Sequence, residues 1–388
     1  MKTALQTDRS GMASEPVEGL AKLSLASPGV FYNPRMNLAR DLAVLFAASF
    51  FSKDKRVRVC DAMTGSGVRA ARYMLECPNV ESVVAADTNP EAVAATRRTV
   101  RLNGLENAVT VIESDANLLL HEQIQNRFDL VDLDPFGSPA PYLESALRAT
   151  EDGGILAATA TDMAPLTGAR PAACFRKYGA RPIRTEFGKE MAVRILAGCL
   201  AGIAGRLELG VEVLFVHASD HYARIYAAVR KGKTSANASA NQLGFLGYCP
   251  KCLARNPIKS LATIELRCTN CGAQLENGGP IWLGELWDRT AAQSMIERTP
   301  ALLSSRLSEI QLILSRVLDE VDNPAFYFRT DAFAQSLRIR PLGIAHILEA
   351  LQKRGDKASR THFDRLGFRT DMEIGKLRKL LRDLAPES

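Results

Sequence analysis

The chain has 388 residues, 46% of them hydrophobic and 24% charged, with a formal net charge of +6 at pH 7. That length allows two or three domains with their own cores, and that balance excludes a disordered chain. Eight cysteines are too few for a disulfide scaffold at this length, and the longest apolar run near the start, Leu42 to Phe51, is too short to span a bilayer. Acids at Asp8, Glu15 and Glu18 leave no signal-type apolar core, so a cytoplasmic protein without membrane contact is expected. The mild basic excess suits a polyanionic partner without establishing one.

From Arg56 to about Gly154, short apolar runs alternate with helical patterns. Strands are predicted at Val57 to Cys60, Val80 to Ala86, Val109 to Ile112, Phe128 to Leu133 and Ile155 to Ala160, with a helix at Pro90 to Leu102. Such alternation predicts a parallel sheet covered by helices on both faces. Val211 to His217 and Ala223 to Val229 then read as two strands joined by a short turn around Ser219-Asp220-His221, so this α/β sheet finishes on an antiparallel strand. That ending is a habit of Rossmann-like methyltransferase sheets and unusual in dinucleotide-binding domains.

Lys231 to Asn241 is small and polar throughout and is expected to be a flexible linker, dividing a first domain (1–240) from a second (241–388). The second opens with Cys249-x2-Cys252 and, fifteen residues on, Cys268-x2-Cys271. Two such knuckles bring four thiolates to one metal, which predicts a closed, structural zinc site. Cys60, Cys77, Cys174 and Cys199 have no such spacing and fit a core. A Leu-rich helix follows near Ala301 to Val321, and then a basic region. Between Gln352 and Arg382 ten Lys or Arg face four acids, an excess equal to that of the whole chain. A second basic stretch, Arg170, Arg176, Lys177, Arg181 and Arg184 with Tyr178 among them, follows the fifth strand. Both stretches suit contacts to nucleic-acid phosphates and equally suit solvated helix faces.

The strand ends carry the chemistry. In "VRVCDAMTGSGVRAARY", Asp61 ends the first strand, and Gly65 and Gly67 let the backbone turn tightly before a helix whose N-terminus offers free amides. The second strand delivers Asp87, an acceptor for both ribose hydroxyls of an adenosine ligand. NAD and S-adenosylmethionine share that arrangement. The third strand ends in Glu113-Ser114-Asp115-Ala116, and an acid there takes an adenine amine, which favours S-adenosylmethionine.

After the fourth strand, at the same sheet edge, comes Asp134-Pro135-Phe136-Gly137. Methylating an exocyclic amine requires drawing its lone pair out of conjugation with the ring. A carboxylate and a backbone carbonyl accepting from the amine favour a tetrahedral nitrogen, proline holds the loop, and an aromatic ring stacks on the base. An Asp-Pro turn that merely closes the strand is the plainer alternative.

"GVFYNPRMNLARDL", "DAMTGSGVRAARY", "DLDPFGSPAPYLESAL", "LAATATDMAPLTG", "CFRKYGA", "CPKC...CTNC", "GPIWLGELWD" and "SRTHFDRLGFRTD" resemble, in order, segments of the tRNA (guanine-N2)-dimethyltransferases, most closely the compact archaeal and bacterial ones. The resemblance runs from about Pro28 to about Leu381. It implies S-adenosylmethionine-dependent methylation of guanine N2 in tRNA, usually at position 26 and in two steps. By motif position it assigns Arg40, Arg69, Asp87, Asp115 and Ala116 to the donor site, beside Asp61 and Gly65, and Asp134, Pro135 and Phe136 to the base. Phe31 would form another wall of the base pocket, and Arg40 would pair with the methionine carboxylate. Met63-Thr64 and Asp364-Arg365 depart from many relatives without removing a group the chemistry needs. The implied partner is tRNA, with no protein partner implied. The competing readings are an adenine amino-methyltransferase, against which the single proline before Phe136-Gly137 weighs, a zinc-ribbon RNA-binding protein without catalysis, and, least favoured, a dinucleotide oxidoreductase.

Overall fold

The structure is a computed structural model that describes residues 16–25, 30–52 and 54–385; Asp8 and Glu15 lie outside these. A two-stranded ribbon, β1 (Val17–Glu18) and β2 (Ala21–Lys22), precedes helix α1 (Asn37–Phe50). The main sheet contains β3 (Val57–Asp61), β4 (Val80–Asp87), β5 (Val109–Glu113), β6 (Phe128–Leu133), β7 (Thr150–Ala160), β8 (Leu209–Ala218) and β9 (Ala223–Lys231) in the order β5-β4-β3-β6-β7-β9-β8. β9 is antiparallel to both of its neighbours, so the expected reversed strand is present and sits between β7 and β8, inside the sheet's edge. Buried β-branched and small residues such as Val57, Val59, Val131 and Ala157 allow both faces to be covered.

Helices α2 (Val68–Glu76), α3 (Pro90–Leu102), α4 (Ala116–Glu122) and α5 (Leu143–Ala149) make the parallel crossovers. After β7 come the short α6 (Met163–Leu166), α7 (Pro171–Tyr178) and the long α8 (Gly188–Arg206). The connections are short, and all the parallel strands present their carboxyl ends on one edge, the edge at which open α/β sheets form clefts.

The stretch expected to be a flexible linker is helix α9 (Lys233–Ala240), which lies against β8 with Ala236 and Ser239 buried. Gly210 makes that approach possible, because a Cβ there would fall 2.3 Å from the Ser235 carbonyl oxygen. Small residues here serve close packing instead of flexibility.

Beyond α9, β10 (Leu243–Tyr248), β11 (Arg255–Ile258) and β12 (Glu276–Trp282) form a sheet in the order β11-β10-β12. Helices α10 (Arg289–Arg298), α11 (Leu307–Glu320), α12 (Thr330–Leu337), α13 (Ile344–Lys353) and α14 (Ile374–Leu384) follow, with the sheet β13 (Phe328–Arg329), β15 (Gly367–Thr370) and β14 (Ala358–Arg360). The Leu-rich helix thus begins at Leu307, later than expected, after a 3-10 turn at Thr299–Ala301. One contiguous apolar core joins both parts, running from the main sheet through Trp282, Leu286 and Met295 to Phe363 and Leu377. Trp287 Nε1 donates to the Val216 carbonyl at 3.0 Å, and Glu190 of α8 accepts from the amides of Phe326 and Tyr327 and from Arg369. No helix among the described residues is long and apolar enough to cross a membrane.

Candidate active site

Asp132 and Asp134 are two residues apart on an extended chain, so their side chains point to the same side of β6. Strand register sets Asp61 directly beside Asp132. Three carboxylates therefore converge beneath the carboxyl edge of the sheet, and buried carboxylates require partners. Arg69, near the start of α2, gives Nη2 to Asp134 Oδ2 at 2.5 Å and holds Nη1 3.4 Å from Asp132 Oδ2. Arg224 of β9 donates to Asp132 Oδ2 at 2.7 Å, to Thr159 Oγ1 at 2.5 Å and to the Tyr226 hydroxyl at 2.8 Å. Tyr73 donates its hydroxyl to Asp132 at 2.6 Å.

This arrangement separates the acids. Burial pushes Asp134 upward, but the Arg69 and Arg224 guanidinium groups outweigh it and hold its carboxyl below the usual range. Asp61 goes the other way: burial and the neighbouring Asp132 charge push it up to about 7 against the weaker pull of Arg69. Its Oδ2 is buried without a hydrogen-bond partner among the described residues.

Above these groups opens a cavity of about 720 Å³. Phe31, Arg40, Asp61, Gly65, Arg69, Asp87, Asp115, Ala116, Asp134, Pro135 and Phe136, the residues that the family resemblance assigns to the donor and base sites together with Asp61 and Gly65, line it. Asp87 accepts from the Gly65 amide at 2.9 Å through one oxygen and from the Asn89 amide at 2.9 Å through the other, so it also fixes the glycine loop. Gly67 caps α2 with φ of 77°, and a Cβ there would meet Thr96 Cγ2 at 2.9 Å. Asp115 caps α4 by accepting from the amides of Asn117 and Leu118. Phe31 and Phe136 meet edge to face with centroids 4.6 Å apart, and they are 54% and 79% exposed. Two exposed rings in contact at a cavity mouth form an open aromatic surface instead of part of a core.

Arg40 reaches the cavity wall already engaged. Glu18 of the β1 strand takes its Nε at 2.6 Å and its Nη2 at 2.5 Å, and also accepts from Tyr32 and Arg72. Asp41, on the same helix, joins Arg72 at 2.6 Å and Ser304 at 2.5 Å. The sequence reading assigned no role to Glu18, Tyr32 or Arg224, nor to Thr161 and Tyr222, which also line the cavity. Arg224 had a signal, a charge inside an apolar strand, and Tyr32 and Thr161 lay within the family-like segments; Glu18 and Tyr222 had none.

Two further expectations need correction. Tyr178, grouped with the basic stretch from Arg170 to Arg184, is buried and donates to Asp162 at 2.5 Å, while the exposed aromatic of that helix is Phe175. Arg369, counted in the C-terminal basic run, is 1% exposed and bridges Glu190 and Glu320 at 2.9 and 2.7 Å.

The four knuckle cysteines converge with all Sγ atoms within 4.8 Å of one another, and the Cys249–Cys271 and Cys252–Cys268 pairs are 3.5 Å apart. Four thiolates about 2.3 Å from a tetrahedral zinc have similar mutual spacing, so the residues fit the ion. Each knuckle closes alike: the amides of Leu253 and Gly272 donate to the carbonyls of Cys249 and Cys268, both donors in left-handed backbone.

The family profile described as "N2,N2-dimethylguanosine tRNA methyltransferase" matches residues 11–382. A Methanosphaera stadtmanae protein named tRNA (guanine(26)-N(2))-dimethyltransferase is 34% identical over 376 residues, covering 96% of each chain. An Aquifex aeolicus protein named tRNA (guanine(26)-N(2)/guanine(27)-N(2))-dimethyltransferase is 32% identical, covering 97% of this chain and 95% of its own. Among solved structures, Trm1 from Pyrococcus horikoshii in complex with S-adenosyl-L-methionine superposes with a TM-score of 0.85 at 32% identity, covering 94% of this chain and 99% of that one. With its sheet, its cavity and its sequence in agreement from end to end, the chain belongs to the N2,N2-dimethylguanosine tRNA methyltransferase family.

Proposed function

We propose that this protein transfers methyl groups from S-adenosylmethionine to N2 of a guanine in tRNA, at position 26, forming first the monomethyl and then the dimethyl nucleoside. The observation that carries this reading is the meeting of two half-sites in one cavity: Asp61, Asp87 and Asp115 at three strand ends, and Asp134-Pro135-Phe136 with Phe31 across the mouth.

The donor residues fit the ligand. Asp87 suits the ribose hydroxyls and Asp115 the adenine amine, Ala116 keeps the base pocket shallow, and the orphaned Asp61 oxygen suits an ammonium. Arg40, held by Glu18, and Arg69, clamped to Asp134, present positive charge at the wall. S-adenosylmethionine supplies a sulfonium-bound methyl as the electrophile.

Phe136 and Phe31 take a purine against their rings and orient its edge into the cavity. Asp134 and the Pro135 carbonyl accept from the guanine amine and favour the tetrahedral nitrogen whose lone pair attacks. A carboxylate held low is a weak base, yet the cationic nitrogen formed by methyl transfer is a strong acid, since losing a proton restores its conjugation with the ring, so Asp134 suffices to receive that proton. After one transfer the nitrogen keeps one N–H for Asp134, and after two it keeps none, which ends the reaction.

The four cysteines hold structural zinc, which leaves no open coordination position for catalysis. Residues 1–240 form the methyl-transfer domain and 241–388 the part that grips the tRNA body, and the substrate implies a cytoplasmic enzyme. Purified protein incubated with unmodified tRNA transcript and labelled S-adenosylmethionine should yield dimethylguanosine mapped to position 26. Label on an adenine amine, or no label with intact cofactor binding, would reject the reading.

A further inference from the structure

Away from the active site, α11, α13 and β14 enclose a second cavity of about 500 Å³. Arg316 stands on its α11 wall and Arg360 on its β14 wall. Neither guanidinium forms an ion pair among the described residues, although most buried or half-buried arginines of this protein do. Arg316 Nε is buried with no acceptor. Ser359, 6% exposed and on the same wall as Arg360, also leaves its hydroxyl without a partner. Burial and the Arg360 charge push the Arg316 guanidinium below its ordinary value, so the two cations repel across the gap.

Desolvated donors without acceptors and like charges facing each other, which Glu320 offsets only in part, both cost stability, and one anion between the two arginines would relieve both. We propose that this cleft is a phosphodiester-binding site, in which Arg316, Arg360 and Ser359 grip one backbone phosphate of the RNA substrate. The site rests on the tRNA reading above. Two arginines against a single acid, Asp319, favour a monoanionic linkage over a dianionic terminal phosphate. Leu312 and Leu348 give apolar walls for the flanking sugar, and Asp319 is placed to accept from a ribose 2′-hydroxyl. The volume exceeds what one phosphate needs and leaves room for a chain to pass.

The test is binding of unmodified tRNA transcript by the full-length protein over a salt series, with wild type, Arg316→Gln, Arg360→Gln and the double variant, each checked for a melting temperature no lower than wild type. Each single change is expected to weaken binding about tenfold and lower the salt slope by about one, with S-adenosylmethionine affinity unaltered. Should either variant lose stability, the charge-retaining Arg→Lys substitution replaces it, with the salt slope expected to hold while affinity falls. Transcript affinity and salt slope equal to wild type in the double variant would overturn the proposal. So would millimolar inorganic phosphate raising the melting temperature of wild type alone while tRNA binding is indifferent to both arginines, since the cleft would then serve a free anion. A wild-type protein that does not bind the transcript would instead overturn the substrate reading, and this site with it.

Discussion

Arg69 Nη2 lies 2.5 Å from Asp134 Oδ2, and the same guanidinium stands 3.4 Å from Asp132, so a residue in the first turn of the helix after the glycine loop also sets the charge of the acceptor loop. With Arg69 in place, Asp134 stays ionised below the ordinary carboxylate range and activity should not decline until the pH falls below that range. Arg69→Gln removes the largest downward influence and leaves burial, which pushes upward. The acidic limb of the kcat profile should therefore move to higher pH, with kcat at neutral pH down about 10²-fold. A pH profile unchanged in shape would remove Arg69 from the positioning of Asp134.

Phe136→Ala and Phe31→Ala test the platform. Both rings are largely exposed, so each change should alter folding stability by less than about 0.5 kcal/mol. Stacking on a base is worth about 1–3 kcal/mol, which predicts a fall in kcat/KM for tRNA of roughly 5- to 160-fold. The KM for S-adenosylmethionine should hold. Loss of stability with intact kcat/KM would mean the rings serve packing instead.

Asp61 predicts a trade of stability for binding. Its folded carboxyl is raised to about 7 from an ordinary 3.8, so its contribution is favourable below the unfolded value and is lost as pH rises toward 7. At neutral pH it therefore strains the fold. Asp61→Asn should raise the melting temperature, by on the order of 2 kcal/mol in stability, and weaken cofactor binding measured by calorimetry.

Glu190 should dominate part of the acid denaturation. Arg369 and Arg194 overcome burial and hold its carboxyl at about 2 against an ordinary 4.5. Its stabilisation is complete above the unfolded value and is lost as pH falls from there through about 2, on the order of 3 kcal/mol. Glu190→Gln leaves buried Arg194 without its ion-pair partner and Arg369 with Glu320 alone, and should cost about 3–5 kcal/mol in denaturant titrations, loosening β15 and the 326–327 segment from α8.

Metal analysis should find about one zinc per chain, falling to none in Cys268→Ser. Because none of the four cysteines lines the cavity, S-adenosylmethionine binding should survive while the melting temperature drops.

The division between what could be read early and what could not follows chain distance. Strand periodicity, turn residues and knuckle spacing are local, so Asp61, Asp87, Asp115 and Asp134 could be assigned to one edge and Cys249, Cys252, Cys268 and Cys271 to one ion before any packing was known. Arg224 meets Asp132 across 92 positions and Ser304 meets Asp41 across 263, and no local pattern encodes such pairs. Lys233–Ala240 misled for the same reason: its composition suits a linker, and only the bare backbone of Gly210 beneath it makes the helix pack. Local sequence therefore determined which groups stand where on the sheet edge. Tertiary packing alone decided the charge of two of them, because arginines distant in the chain hold Asp134 low, while burial and the Asp132 charge on the neighbouring strand hold Asp61 high.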